Sequence, residues 1–126
     1  MSESLFFIVE LEVNQGQAEA LQSVMEEMMN LTQADEPGTL SYEWFLSDDG
    51  RACHIYERYA NPAAALIHNK TFPKELFDRS QAFRPTRLTA YGNVTAEIQE
   101  KRIDPLRRAV PGIRIAVLGY SGGFTR

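Results

Sequence analysis

The sequence predicts an α+β fold: a ferredoxin-like split βαβ sandwich followed by a C-terminal helix-strand extension. Three observations predict it. Four segments alternate or run apolar with the period of strands, and two intervening segments carry apolar residues at helical spacing. Their order along the chain is β-α-β-β-α-β. The chain has 126 residues, enough for one such domain with its own core.

The first strand is read in LFFIVELEV, residues 5–13. Leu5, Phe7, Val9, Leu11 and Val13 share one face, while Phe6 and Ile8 open a second face that ends in Glu10 and Glu12. A strand apolar on both faces over half its length belongs in the middle of a sheet. A helix follows, with Asn14 as its expected cap and Gln17 at the capping-box position. Leu21, Val24, Met25, Met28 and Leu31 form its apolar stripe, and it must stop before Pro37-Gly38. In TLSYEWFLS, residues 39–47, Leu40, Tyr42, Trp44 and Leu46 alternate against Ser41, Glu43 and Phe45. SDDG (47–50) is a hairpin turn signal, and ACHIYERYA (52–60) is its antiparallel partner. Asn61-Pro62 reads as a cap followed by a first-turn proline, and residues 71–77 as a further short helical piece. The fourth strand is expected over 86–96, with Leu88, Ala90 and Val94 opposite Thr89, Tyr91 and Asn93.

Residues 1–95 form the sandwich and residues 96–126 the extension: a helix interrupted at Asp104-Pro105, a turn at Pro111-Gly112, and a strand over 113–118. That strand is too apolar for a free tail, and it can gain hydrogen bonds only at a sheet edge. That edge can belong to its own sheet or to a partner's; the extension is expected to pair with or cover a partner subunit, with Arg107, Arg108 and Arg114 near acidic surface of residues 1–60. Both helices of the sandwich cover one sheet face, which leaves the other without a partner in the chain. Face-to-face pairing into a homodimer or higher homo-oligomer is the expected remedy.

Composition excludes several function classes. The chain is 44% hydrophobic and 24% charged, with a net charge of −4, and LFFIV is too short to span a bilayer. Residues 1–60 hold 12 acidic and 2 basic residues, residues 61–126 hold 5 and 11. The basic residues are scattered across several elements, so complementary halves are expected rather than nucleic-acid binding. The single cysteine, Cys53, fits a cytoplasmic location. One cysteine and two histidines make a structural zinc site improbable. GYSGG (119–123) matches G-x-S-x-G, but no helix and no downstream acid or histidine follow Ser121, so it is read as a glycine-rich turn and not as a nucleophile elbow.

Two stretches, EPGTLSYEWF (36–45) and IYERYANPAAALIH (55–68), carry a resemblance over roughly residues 5–95. In this order and spacing the chain resembles the antibiotic-biosynthesis-monooxygenase (ABM) domain family of dimeric α/β barrels. That family includes cofactor-free oxygenases of polycyclic phenols and quinols, and haem-degrading oxygenases. The haem-degrading members use an asparagine on the first strand and a tryptophan late on the third, beside a histidine of the second helix. Here His68 is retained, but the first strand has no asparagine before Asn14 and Tyr59 stands at the aromatic position, which disfavours haem.

The resemblance implies a cofactor-independent monooxygenase acting on a small phenolic or quinol-like aromatic, with no cofactor and no metal. Such a protein must bind a flat aromatic, remove a proton, stabilise the oxyanion and exclude water. Strand parity puts Ile8, Glu10, Thr89, Tyr91 and Asn93 on the open side, together with His54, Tyr56 and Arg58. His54 is the candidate general base and Arg58 the candidate oxyanion partner. Trp44, Tyr56, His68 and Tyr91 are the candidate substrate-binding residues. Arg58 has an alternative reading as an ion-pair partner of Glu10 or Glu43. A non-oxidative isomerase or cyclase, or a small-molecule-binding protein, are the alternative functions on the same barrel.

Overall fold

The computed structural model describes residues 4–71 and 82–126, with the side chain of Thr71 excepted. The helical piece expected over 71–77 falls, beyond residue 71, outside the described residues. Five strands form one sheet in the order β2-β3-β1-β4-β5. They are β1 (Leu5–Val13), β2 (Thr39–Leu46), β3 (Ala52–Tyr59), β4 (Phe83–Gly92) and β5 (Arg114–Leu118). Helices α1 (Ala18–Asp35) and α2 (Pro62–Thr71) complete the split βαβ order. Among the described residues, no helix is long and apolar enough to cross a membrane.

β1 sits in the middle, antiparallel to β3 on one side and to β4 on the other. Leu5, Phe7, Val9, Leu11 and Val13 are all buried, with Cys53 and Ile55 of β3, Leu88 and Ala90 of β4, and Leu21, Val24 and Met28 of α1. Period-two patterning thus sets which side faces the helices. Burying a side chain of this size contributes about 1.5–3 kcal/mol.

Local departures from the expected elements have physical reasons. Residues 15 and 16 form a turn and Gly16 has φ +77°, so α1 begins four residues after Asn14, and Gln17 at its N-cap makes no side-chain cap bond. The buried stripe of α1 ends on Thr32, and Leu31 is 38% exposed. β2 is an edge strand whose register with β3 shifts between Thr39 and Ser41. Tyr42 and Trp44 keep the core side, opposite Glu57 and Ile55, whereas Leu40 and Leu46 are exposed. α2 starts as expected, with Asn61 Oδ1 accepting from Ala64 N at 2.9 Å. β4 ends at Gly92, which has φ +100° and no room for a Cβ beside the Ser4 carbonyl.

The extension is integral to this fold. Thr95 caps α3 (Ala96–Ile98) through its hydroxyl, which accepts from Ile98 N at 3.2 Å. A π-helical turn (Gln99–Ile103) and α4 (Asp104–Ala109) continue it. The helix therefore runs through Asp104-Pro105, and its irregularity is the π turn that precedes the proline. Ile98 and Ile103 are fully buried in the same core. β5 pairs in parallel with β4 of its own chain, Arg87 to Tyr91 against Arg114 to Leu118. Of the two edges the sequence offered, β5 thus takes the one on its own sheet and becomes an edge strand itself. Arg107 pairs with Asp104 of its own helix, and it is Arg102 that reaches a carboxylate of the acidic half, Glu57.

Candidate active site

The six residues singled out from sequence lie on opposite faces of the sheet. His54, Tyr56, Arg58 and Tyr91 are on the open face, as strand parity predicts, and Trp44 and His68 are on the helix-covered face. They do not converge on one substrate within a chain.

On the open face, His54 is half exposed and its Nε2 is 3.5 Å from Glu10. Arg87 Nε reaches the other oxygen of the same carboxylate at 3.7 Å. Glu10 is therefore shared by His54 and Arg87 rather than held by Arg58, whose buried Nε has no hydrogen-bond partner among the described residues. Phe6 stacks on Tyr91 with ring centroids 4.6 Å apart and leans on Tyr56 at 5.6 Å. A cavity of about 210 Å³ beside this stack is lined also by Leu118, Tyr120 and Ser121. The open face offers aromatic surface and a wet histidine.

The helix-covered face holds a dry polar cluster built by five elements. Glu36 follows the last residue of α1 and is buried, as are Glu57 of β3 and His68 of α2. His68 Nδ1 lies 2.8 Å from Glu36 Oε1, and Nε2 faces Glu57 Oε1 at 3.8 Å. Thr39 Oγ1 donates to Glu36 Oε1 at 3.0 Å. Tyr59 Oη donates to Glu57 Oε1, and Arg102 Nη2 is 3.4 Å from that same oxygen. The two carboxylates stand on opposite edges of one imidazole, an arrangement suited to holding and moving a proton and not to sharing one metal ion with it. Among the described residues, no group of three His, Cys, Asp or Glu side chains is placed to bind a metal.

Tyr42 Oη and Trp44 Nε1 are both buried and lie close enough to interact with each other, and among the described residues neither has another hydrogen-bond partner. Burial, reinforced by the Glu57 carboxylate, holds the Tyr42 hydroxyl well above the ordinary phenol range. The Tyr59 hydroxyl is raised for the same two reasons. Both stay protonated, as donors. A groove of about 400 Å³ opens between α1 and β2, and Glu36, Thr39 and Tyr42 line it. Its size falls within the roughly 300–1,000 Å³ of small-molecule sites.

The antibiotic biosynthesis monooxygenase family model matches residues 4–87, two thirds of the chain. The chain belongs to the antibiotic biosynthesis monooxygenase family. Solved structures agree on the fold. MupZ from Pseudomonas fluorescens matches with a TM-score of 0.74 at 18% identity, over 99% of this chain and 96% of that one. Rv0793 from Mycobacterium tuberculosis matches with a TM-score of 0.59 at 23% identity, over 69% and 91%. A candidate antibiotic biosynthesis monooxygenase from Caulobacter crescentus gives 0.62 at 20% identity, over 71% and 88%. Among curated proteins none matches the sequence significantly. The latter two matches cover about 70% of this chain, whereas the MupZ match covers nearly all of it and so takes in the extension.

Of the residues in this cluster, the sequence singled out His68 and Trp44 as candidates and did not single out Glu36, Tyr42, Glu57, Tyr59 and Arg102. One signal was available. Glu57 shares strand parity with Cys53, Ile55 and Tyr59, and a carboxylate in a core-facing series must be paired or hydrogen-bonded.

Proposed function

We propose that this family member is a cofactor-independent monooxygenase of a small phenolic or quinol-like aromatic, with its proton-transfer centre at Glu36, His68 and Tyr42. The observation that carries this reading is the buried Glu36–His68 pair at 2.8 Å, on the wall of a groove that Glu36 and Tyr42 line.

A planar ring slides between α1 and β2 with its hydroxyl toward Tyr42. The Glu36–His68 pair accepts the phenolic proton, and Tyr42 Oη, a donor at every ordinary pH, stabilises the phenolate oxygen. The phenolate passes one electron to dioxygen, and the radical pair recombines at a ring carbon. In the balanced reaction the phenol's O–H and one ring C–H become two C=O groups, one oxygen atom of O₂ enters the ring and the other leaves as H₂O, so the substrate supplies all four electrons. The chain's task is binding, deprotonation and exclusion of water, and the low exposure of the cluster serves the last of these.

Two copies are proposed to meet through the open face. The support is physical: Phe6, Ile8, Tyr56 and Tyr91 lie there with exposed Phe45, and among the described residues no helix covers them. The family's barrels are usually dimers. In that arrangement His54 and Arg58 belong to the interface side of the sheet.

The cluster also favours a second reading, a non-oxidative isomerase or cyclase. Two carboxylates, an imidazole and two protonated phenols suffice to move a proton between two sites of one substrate without oxygen. An oxygen electrode with a panel of planar phenols and quinols separates the readings. The monooxygenase consumes about one O₂ per product, with no added reductant and no loss on treatment with chelator. Product without oxygen uptake replaces it with the second reading, and binding without product leaves a binding protein.

A further inference from the structure

β2 carries one residue more than its partner strand can pair. Thr39 lies opposite Tyr59 and Ser41 opposite Arg58, which leaves Leu40 between them without a place in the register. This is a β-bulge, a device that re-aims side chains and is common beside active sites. Thr39 and Tyr42 are three residues apart, so an unbroken strand would send them to opposite faces. Their partners Tyr59 and Glu57 are two apart on β3 and share the helix-covered face. The extra residue therefore brings Thr39 and Tyr42 to one wall. There Thr39 Oγ1 donates to Glu36, and the Tyr42 ring lies 5.1 Å from that of His68. Both residues line the groove between α1 and β2.

The bulge is fixed from both sides. Before it, Thr39 N donates to the Glu36 carbonyl at 3.1 Å and Ala60 N to the Gly38 carbonyl at 3.0 Å. Gly38 runs so close to α2 that a Cβ would come within 2.7 Å of Ala64 Cβ. After it, Ser41 to Leu46 are held in the ladder with β3. Leu40 is the residue left to turn outward, and it stands 56% exposed on the groove. The groove is thereby graded against the usual order, in which polar side chains face water. Its two buried wall residues, Thr32 and Glu36, are polar. Apolar surface comes instead from the rim, where Leu40 and Pro37 are exposed and Met29 is half-buried, beside the exposed Gln33.

We infer that Leu40 determines specificity at this groove, as an apolar lip that takes a nonpolar substituent remote from the substrate's hydroxyl. The ligand that fits both ends is amphipathic: a hydroxyl for the polar floor, and an alkyl chain or further ring for the lip. A bare phenol leaves the lip in water, whereas each methylene laid on it leaves water and tightens binding. This rests on the groove as the substrate seat of the proposed function. It adds to that reading the kind of substituent the substrate carries and the residue that selects it.

Dissociation constants for phenol, 4-ethylphenol, 4-butylphenol and 4-hexylphenol, read from Trp44 fluorescence of the full-length chain, test the lip. Wild type should tighten about 2-fold per methylene, less than the roughly 4-fold of complete burial because the lip is open to water on one side. Leu40→Ser should flatten the series, and Leu40→Met should keep the rise. Leu46→Ser changes an exposed leucine of the same strand that does not line the groove, and it should match wild type. A rise in Leu40→Ser as steep as in wild type overturns the inference, and so does loss of the rise in Leu46→Ser. A flat series in wild type that binds phenol overturns it too, while leaving the proposed seat standing. If none of the phenols binds, the linear alcohols from butanol to octanol replace them. A rise lost in Leu40→Ser then upholds the lip and removes the phenol reading, and no rise removes both.

Discussion

His68→Gln is expected to lower turnover by about 10²–10⁴-fold, whereas His54→Gln stays within a few fold of wild type. The contrast follows from where the two imidazoles sit. His68 is enclosed between Glu36 and Glu57, so in the proposed mechanism its loss removes the proton carrier. His54 is half exposed and 3.5 Å from Glu10, on the other side of the sheet. Steady-state rates with circular dichroism as a fold control check this. A His54 variant with the larger loss would move the reaction to the open face.

The second large effect concerns stability. Ile103→Ala should cost about 2–5 kcal/mol, and Ile98→Ala a similar amount, because both side chains are completely buried in the main core. Deleting residues 96–126 should do more, since it removes both isoleucines and strips β5 from the edge of β4. Urea unfolding followed by fluorescence of Trp44 reads the midpoint directly. A truncated chain with an unchanged midpoint would mean that the extension is not part of the folding unit.

Much of the frame could be read from residue order. The central place of β1 follows from Phe6 and Ile8 sharing a strand with Leu5, Phe7 and Val9. The sidedness of β3 follows from period two, which the pairing of Glu10 with His54 and Val9 with Ile55 confirms. The start of α2 follows from the side-chain chemistry of Asn61. What could not be read is geometry decided by distant neighbours. The register shift after Thr39 turns Leu40 out of a series that alternates without flaw in the sequence. The pairing of β5 depends on which edge is free, and β4 offers one inside the same chain. The cluster draws on residues 36, 42, 57, 68 and 102, separated by whole elements, so no local motif announces it. In a Lys-Arg pair, Arg102 reads as solvated charge, and only the π turn sends it inward.

The proposed substrate seat lies between α1 and β2, and chemical-shift mapping with a planar phenol tests it most directly. Binding in the groove should move the amides of Glu36, Thr39 and Tyr42 in proportion to occupancy, with Phe6, Tyr91 and Leu118 unmoved. Saturable shifts at Phe6, Tyr91 and Leu118, with Glu36 and Tyr42 silent, would contradict it and place the site on the open face.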